Sequence, residues 1–358
     1  MMRHLTDALA KLAPAGPEEP AIGPLVEHLR EAGLLSACAP ADTGGSDLAH
    51  LPDDPARLAE TLAAVGAASL SAGRLFEGHV NAAKLVALYA RGDARDRWCA
   101  AIARGQLFGI WGAEGAQPVR LSDGRLAGEK RFASGADILD HAIITARDDA
   151  GDVQLLVVGL DRLEGRLFPE EWSVSGMKAT ASGRVDLDGL RIEPGDHLGA
   201  PADYLREPHF QGGVWRYAAV QLGAMQEMTR CTAHQLGARG QTEAPLQAAR
   251  LRRMVMACET ARLWVDHAAR TVERPEARPC DAGVAMLARL TIEREAVALM
   301  QEMDAALGAA SFATAHPVER HRRDLQFYLR QANPDGLGEA AMGWLRETPE
   351  DTRRWNLS

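Results

Sequence analysis

Two kinds of hydrophobic spacing alternate along the chain, and the places where they switch divide it into three blocks. Over residues 1–105 apolar positions recur at helical spacing, with Gly and Pro marking the joints. Ile22, Leu25, Val26, Leu29 and Leu34 fall mostly on one face of a helix predicted from Ala21 to Leu35. The Gly, Asp and Pro content of residues 39–48 makes a loop, and further helices are predicted over Pro55 to Ala68, Ser71 to Ala90 and Ala94 to Arg104. From 106 to 195 the segments shorten and turn signals come at strand-like intervals. Strands are predicted for Leu107 to Trp111, His141 to Arg147 and Val153 to Leu160, the last two joined by the turn at residues 148–152. Residues 122–124 form a hairpin turn, and Arg184 to Ile192 alternates apolar and polar as a half-buried strand does. This block reads as a small β-barrel or sandwich.

Helical spacing returns over residues 210–347. Ala218, Leu222, Met225, Thr229, Thr232 and Leu236 recur at intervals of four and three, as do Leu251, Met254, Cys258, Ala261, Val265, Ala268 and Val272. Narrow seams of small and medium residues suit helices packed nearly antiparallel. A third helix is predicted over about Ala282 to Leu307, after a Pro- and Gly-containing break at 274–283, and a fourth begins near Val318. The predicted fold class is therefore multi-domain α+β: an N-terminal helical domain, a middle β domain and a C-terminal four-helix bundle, with residues 348–358 as a tail.

Composition narrows the function. Apolar residues make up 46% and charged residues 25%, an ordinary globular balance. A net charge of -9 argues against a nucleic-acid partner, which calls for a basic face. The cysteines, Cys38, Cys99, Cys231, Cys258 and Cys280, are scattered and never paired as C-x-x-C. That suits reduced thiols in a cytoplasmic protein and gives neither a disulfide frame nor a metal site. No run of ~18 apolar residues is present, so no membrane-spanning helix is expected. Residues 1–20 do not read as a secretory signal.

Several strings carry a resemblance. Pro317, Arg320, Arg323 and Asp324 form a Pro-x-x-Arg-x-x-Arg-Asp run; residues 128–137 read GEKRFASGAD; and residues 171–192 hold Trp172, then Gly176, Met177, Thr180 and Ser182 ahead of the alternating strand. Residues 236–250 contain Arg239, Pro245 and Leu246 in an Arg-Gly-containing turn. With the order of the three domains, these resemble the acyl-CoA dehydrogenase family. The resemblance implies an FAD cofactor, with FMN as the other flavin, and a small-molecule substrate that an acyl-CoA would exemplify. It also implies a homodimer or homotetramer. It assigns Trp111, Phe132 and Ser134 to the flavin ring, Arg239 to the pyrophosphate of a neighbouring subunit's cofactor, and Gly308 to the loop along the adenine side. Arg323 and Asp324 are placed beside substrate. The family's glycine-rich adenine loop is reduced here to Gly308 and Phe312, and residues 111–119, WGAEGAQPV, replace a string that normally lines flavin and thioester.

The reaction is less legible than the fold. Removing an α proton while hydride leaves the β carbon needs a carboxylate base. The position eight residues after Asp324, where the resemblance expects glutamate, holds Ala332, and the alternative position on the first bundle helix offers only Gly213 or Trp215 before Arg216. Asp335 is the nearest acid, either as a displaced base or as the cap of a following helix. Enzymes of the same fold that hydroxylate with reduced flavin and oxygen need no such base; a histidine or serine at the flavin edge serves them. His79, beside Gly78, is the first candidate, with His316 and His321 flanking the Arg-Asp run. Three readings stand: a flavin-dependent oxidoreductase acting on CH–CH bonds of an acyl thioester, a flavin monooxygenase or oxidase with a non-CoA substrate, and a scaffold without turnover.

Overall fold

A computed structural model describes residues 21–331 and 333–348, together with Arg353 and Asn356. The N-terminal stretch read for a leader and Ala332 lie outside the described residues. Helices α1 (Ile22–Glu31), α2 (Leu34–Ala37), α3 (Pro55–Ala68), α4 (Leu70–Tyr89) and α5 (Gly92–Ala103) come first. The single helix expected from Ala21 to Leu35 breaks in two, because Gly33 adopts φ 72°, a left-handed conformation that ends α1. Asp54 caps α3, its carboxylate accepting from Ala56 N, and Ser69 caps α4 by accepting from Ala72 N. Helix α4 is buried on nearly every side, and it becomes the shared wall of the molecule.

The middle block holds two sheets. In the larger, β5 (His141–Arg147) and β6 (Val153–Gly159) pair antiparallel from His141↔Gly159 to Arg147↔Val153. β1 (Phe108–Trp111) lies parallel along the other edge of β5, followed by the hairpin β2 (Arg120–Ser122) and β3 (Arg125–Ala127). β9 (His197–Leu198) closes the far side on β6. The smaller sheet runs β4 (Glu129–Lys130), β8 (Arg184–Asp186), β7 (Leu167–Phe168), all antiparallel. Buried Lys130 joins the two, its ammonium 2.6 Å from Glu114 and 2.8 Å from Thr145 Oγ1 on β5. The expected strand Arg184 to Ile192 is only three residues long. Gly189 turns the chain at φ 71°, and beyond it the backbone pairs with β3 instead, through Leu190 O, Ile192 N and the isolated bridge Arg125↔Arg191.

The C-terminal helices are α6 (Trp215–Ala238), α7 (Pro245–Val272), α8 (Ala282–Leu307), α9 (Pro317–Tyr328) and α10 (Pro334–Glu347). Both predicted seams are realised: Met225, Thr232 and Leu236 on α6 and Met254, Cys258, Ala261 and Val265 on α7 are all buried. The fifth helix, α10, packs on α8.

Glycine brings the two helical regions into backbone contact. A Cβ at Gly223 of α6 would stand 1.8 Å from Ala63 O, and one at Gly66 of α3 would stand 2.1 Å from Val220 O. Neither neighbour is a side chain that could swing aside. Replacing Gly223 with Ala is expected to cost about 1–3 kcal/mol, the scale of overpacking, or more if the helices are forced apart. Thermal melts of G223A and of wild type check this; an unchanged midpoint would mean that α3 and α6 part freely.

Candidate functional site

Four parts of the chain leave a cavity where they meet. One wall is α4, through Arg74, Glu77, Gly78 and Asn81; another is the exit of β1, through Ile110, Gly112 and Ala113. Phe132, Tyr204 and Phe210 come from loops, Tyr217 from α6, Phe327 from the end of α9, and Arg330 and Gln331 from the turn after it. The cavity holds about 740 Å³ and continues into an inner chamber of about 370 Å³ that reaches Lys84, His209 and Arg216. Gly112 and Ala113 keep the strand exit free of bulk, so one side of the cavity is nearly bare backbone.

The outer rim is aromatic. Phe132 has a left-handed backbone, φ 52°, and is 58% exposed, unusual for a large apolar side chain. Its ring meets Trp172 edge-on at 5.8 Å, and Trp172 meets Phe327 edge-on at 5.5 Å. Trp172 Nε1 donates to Met177 O at 2.8 Å. Behind Phe132, Ser182 donates to Ser134 Oγ at 2.9 Å and lies 2.8 Å from Thr180 Oγ1, which donates to Met177 O. Ser134 thus accepts from within the protein and keeps its own proton for another partner. Trp111 is buried and donates from Nε1 to Ser134 O at 3.1 Å, fixing that loop from below.

The interior is charged. Arg74, Glu77, Asn81 and Lys84 recur at helical spacing on α4 and form a polar stripe within a buried helix. Arg74 and Asn81 both donate to the Glu77 carboxylate. Arg216 donates to Asn81 Oδ1 at 2.9 Å and, with its other terminal nitrogen, to Glu273. Lys84 donates to the second oxygen of Glu273, and Trp215 Nε1 to the first at 3.0 Å. Burial alone would raise the Glu273 pKa, but Arg216 and Lys84 outweigh it and hold the carboxyl at about 2. Three of the chain's four tyrosines surround this interior. Burial raises the pKa of Tyr204, Tyr217 and Tyr328, that of Tyr204 to about 12, so all three stay protonated donors.

The residues proposed from sequence separate into two groups. Phe132 and Ser134 stand at the cavity or directly behind it, with Trp111 as their support. The others lie elsewhere. His79 is fully buried: Nε2 donates to Leu35 O at 3.0 Å and Nδ1 accepts from Phe108 N at 3.0 Å. Burial lowers its pKa to about 4, so it is a neutral pin between α2, α4 and β1 rather than a group facing substrate. His321 bonds Ala67 O, and His316 caps α9 by accepting from Val318 N. Asp324 accepts from Met177 N at 2.7 Å, tying α9 to the β block; Gly176 is required there, since a Cβ would stand 2.6 Å from Arg323 O. Neither Asp324 nor Arg323 lines the cavity. Asp335 is exposed in the first turn of α10, while Asn333 is the residue that caps it. Arg239, at the end of α6, is exposed, and Gly308 ends α8 in open space at φ 67°. The sequence reading missed Glu77, Lys84, Arg216 and Glu273. The four-residue stripe on α4 was the signal available for the first two.

Glu273 gives a pH test. Its carboxyl is depressed from 4.5 to about 2, so its contribution is complete above the ordinary carboxylate range and is lost as pH falls toward 2. E273Q would leave two buried cations without a counter-charge, at a cost of about 3–5 kcal/mol near neutral pH. Denaturant titrations from pH 7 down to pH 2 are expected to show the gap between variant and wild type closing across that window. A gap independent of pH would refute the assignment.

A family model for the acyl-CoA dehydrogenase C-terminal domain matches residues 209–329. Dibenzothiophene monooxygenase from Rhodococcus erythropolis is 27% identical over 190 residues, 49% of this chain and 44% of that protein, so the match spans about half of either. Butyryl-CoA dehydrogenase from Megasphaera elsdenii superposes with a TM-score of 0.85 at 18% identity, covering 96% of each chain. FMN-bound TdsC from Paenibacillus sp. A11-2 superposes at 0.81 with 19% identity, again over 96% of each. Residues 209–329 thus match the acyl-CoA dehydrogenase C-terminal domain, and the chain as a whole has the fold of the butyryl-CoA dehydrogenase structure.

Proposed function

We propose that this chain is a flavin-dependent monooxygenase that oxidises a small organic substrate in the cavity beneath Phe132, and not a dehydrogenase of acyl thioesters. One observation carries the choice. The sequence has Ala332 where a dehydrogenase would hold its glutamate, and the carboxylate lining the cavity among the described residues, Glu77, already accepts from Arg74 and Asn81. Abstraction of an α proton in such a dehydrogenase needs a carboxylate held against carbon, and among the described residues the lining offers no uncommitted one. The partial match to a dibenzothiophene monooxygenase supports the same reading.

The residues present suit a flavin. An exposed phenyl ring beside nearly bare backbone at Gly112 and Ala113 accepts a flat ring system, and Ser134 has a proton to donate at its edge. A bound flavin would supply two-electron transfer and, once reduced, reaction with oxygen. The chain's own part is to hold and exclude. Phe132, Trp172 and Phe327 shield the rim, Tyr204, Tyr217 and Arg74 orient substrate, and Ser134 would hold the ring edge. The eroded adenine loop around Gly308 favours FMN over FAD. Assembly is read as a homo-oligomer: Met256 and Leu263, one face of α7, with Val297 on α8, are 60%, 58% and 41% exposed, and exposed apolar faces of this kind are commonly covered by a second copy. Arg239 would then reach the neighbouring subunit's flavin phosphate.

Purified protein is expected to take up FMN, to keep its visible absorbance when butyryl-CoA is added under argon, and to consume oxygen in step with product when a flavin reductant and an aromatic heterocycle such as dibenzothiophene or indole are supplied. Bleaching by butyryl-CoA under argon would restore the dehydrogenase reading. R239A is expected to weaken flavin retention on gel filtration about tenfold, the loss of one charge-assisted contact; unchanged retention would remove Arg239 from the site.

A further inference from the structure

The inner chamber carries a charge that the oxidation chemistry does not use. Lys84 and Arg216, 4% and 2% exposed, share one carboxylate, Glu273, while Arg74 and Glu77 cancel one another. Burial lowers the Lys84 pKa and Glu273 opposes that; with Lys84 protonated, the set carries one positive charge that its own carboxylates do not balance. Excess charge away from water is costly unless something neutralises it. Arg216 also has a buried Nε with no hydrogen-bond partner, and the absence of a side chain at Gly213 leaves room beside its guanidinium, a Cβ there falling 3.1 Å from Nη1. His209, which also lines the chamber, has its pKa lowered to about 4 by burial and by the same two cations, and so is neutral. Glu207, two residues before His209, is committed to the backbone N–H groups of Gln211 and Gly212. Leu85, Ile110, Val214 and Leu337 add apolar wall to the chamber, beside the polar Gln211 and the rings of Tyr204 and Tyr217. Its volume, about 370 Å³, is more than twice the ~150 Å³ that holds a benzene-sized guest.

We propose that this chamber receives the anionic group of the substrate, a carboxylate or an oxyanion of sulfur or phosphorus on an otherwise apolar body, with Arg216 and Lys84 as its partners. The proposal rests on the reading of the cavity as the substrate site and adds the class of substrate that it takes. An anion there completes the count: two cations, two negative groups. A guanidinium with an unused N–H and an ammonium beside it bind such a group by charge-assisted hydrogen bonds, while the apolar wall holds the body.

The test uses the flavin-free chain and the matched probes benzoate and benzamide, with binding followed by calorimetry and by the fluorescence of Trp215. Benzoate is expected to bind about tenfold or more tighter than benzamide, the scale of one charge-assisted hydrogen bond. K84M leaves Arg216 and Glu273 as a balanced pair, so it is expected to fold, verified by circular dichroism, and to lose that preference. E77Q removes a negative charge from the wall and is expected to tighten benzoate while leaving benzamide unchanged. Equal binding of the two probes by wild type, or a preference unmoved in both variants, would overturn the proposal. Repeating the benzoate titration with FMN at saturation separates the two sources of an anion. Undiminished benzoate binding keeps the site for substrate, whereas competition would assign the charge to the cofactor phosphate and also overturn it. Failure of FMN to bind at all would remove the flavin reading but leave the benzoate result standing.

Discussion

One buried carboxylate organises the interior. Glu273 ends α7, where the helix dipole already presents partial negative charge, and it draws a cation from each of two other helices. Lys84 arrives from the N-terminal region and Arg216 from the first bundle helix, with the Trp215 indole alongside. A carboxylate out of water is tolerable only when paired and fully hydrogen-bonded, and here every bond comes from the protein. The position of the inner chamber follows from this: α4, α6 and the end of α7 can go nowhere that does not strand a charge.

Two other joints work in the same manner with smaller stakes. His79 is neutral and has both ring nitrogens in use, so it reads as a bracket among α2, α4 and β1. Asp324 accepts from Met177 N and fastens α9 to the β block, with Gly176 allowing the approach. Both had looked chemical because they are polar residues in conspicuous strings. Their side chains satisfy backbone groups that would otherwise be buried and unpaired.

The helical periods were readable because each bundle seam repeats many times along one chain segment, and so the order of blocks could be drawn from spacing alone. Short-range geometry was harder. Gly33 interrupts a run whose apolar face continues across it, and Gly189 ends a strand whose alternation continues past it; in both cases a left-handed glycine outweighs an intact pattern. Phe132 and Ser134 were found because they lie two residues apart in one string. The charged interior was not, since Glu77, Lys84, Arg216 and Glu273 are remote in sequence and meet only when three helices close. The stripe on α4 was visible, and what it lacked was a partner from the same stretch of chain.

The contact between α3 and α6 separates the parts of this molecule that are free to vary from those that are not. At Gly66 and Gly223 the neighbouring atom is a carbonyl, so any side chain there collides with something that cannot be exchanged. The cavity, by contrast, is walled by replaceable side chains everywhere but at the β1 exit, where Gly112 and Ala113 present backbone. Evolution or an engineer can therefore recut the interior for a new guest while the joints stay frozen, and the price of a new specificity is set by the wall residues alone.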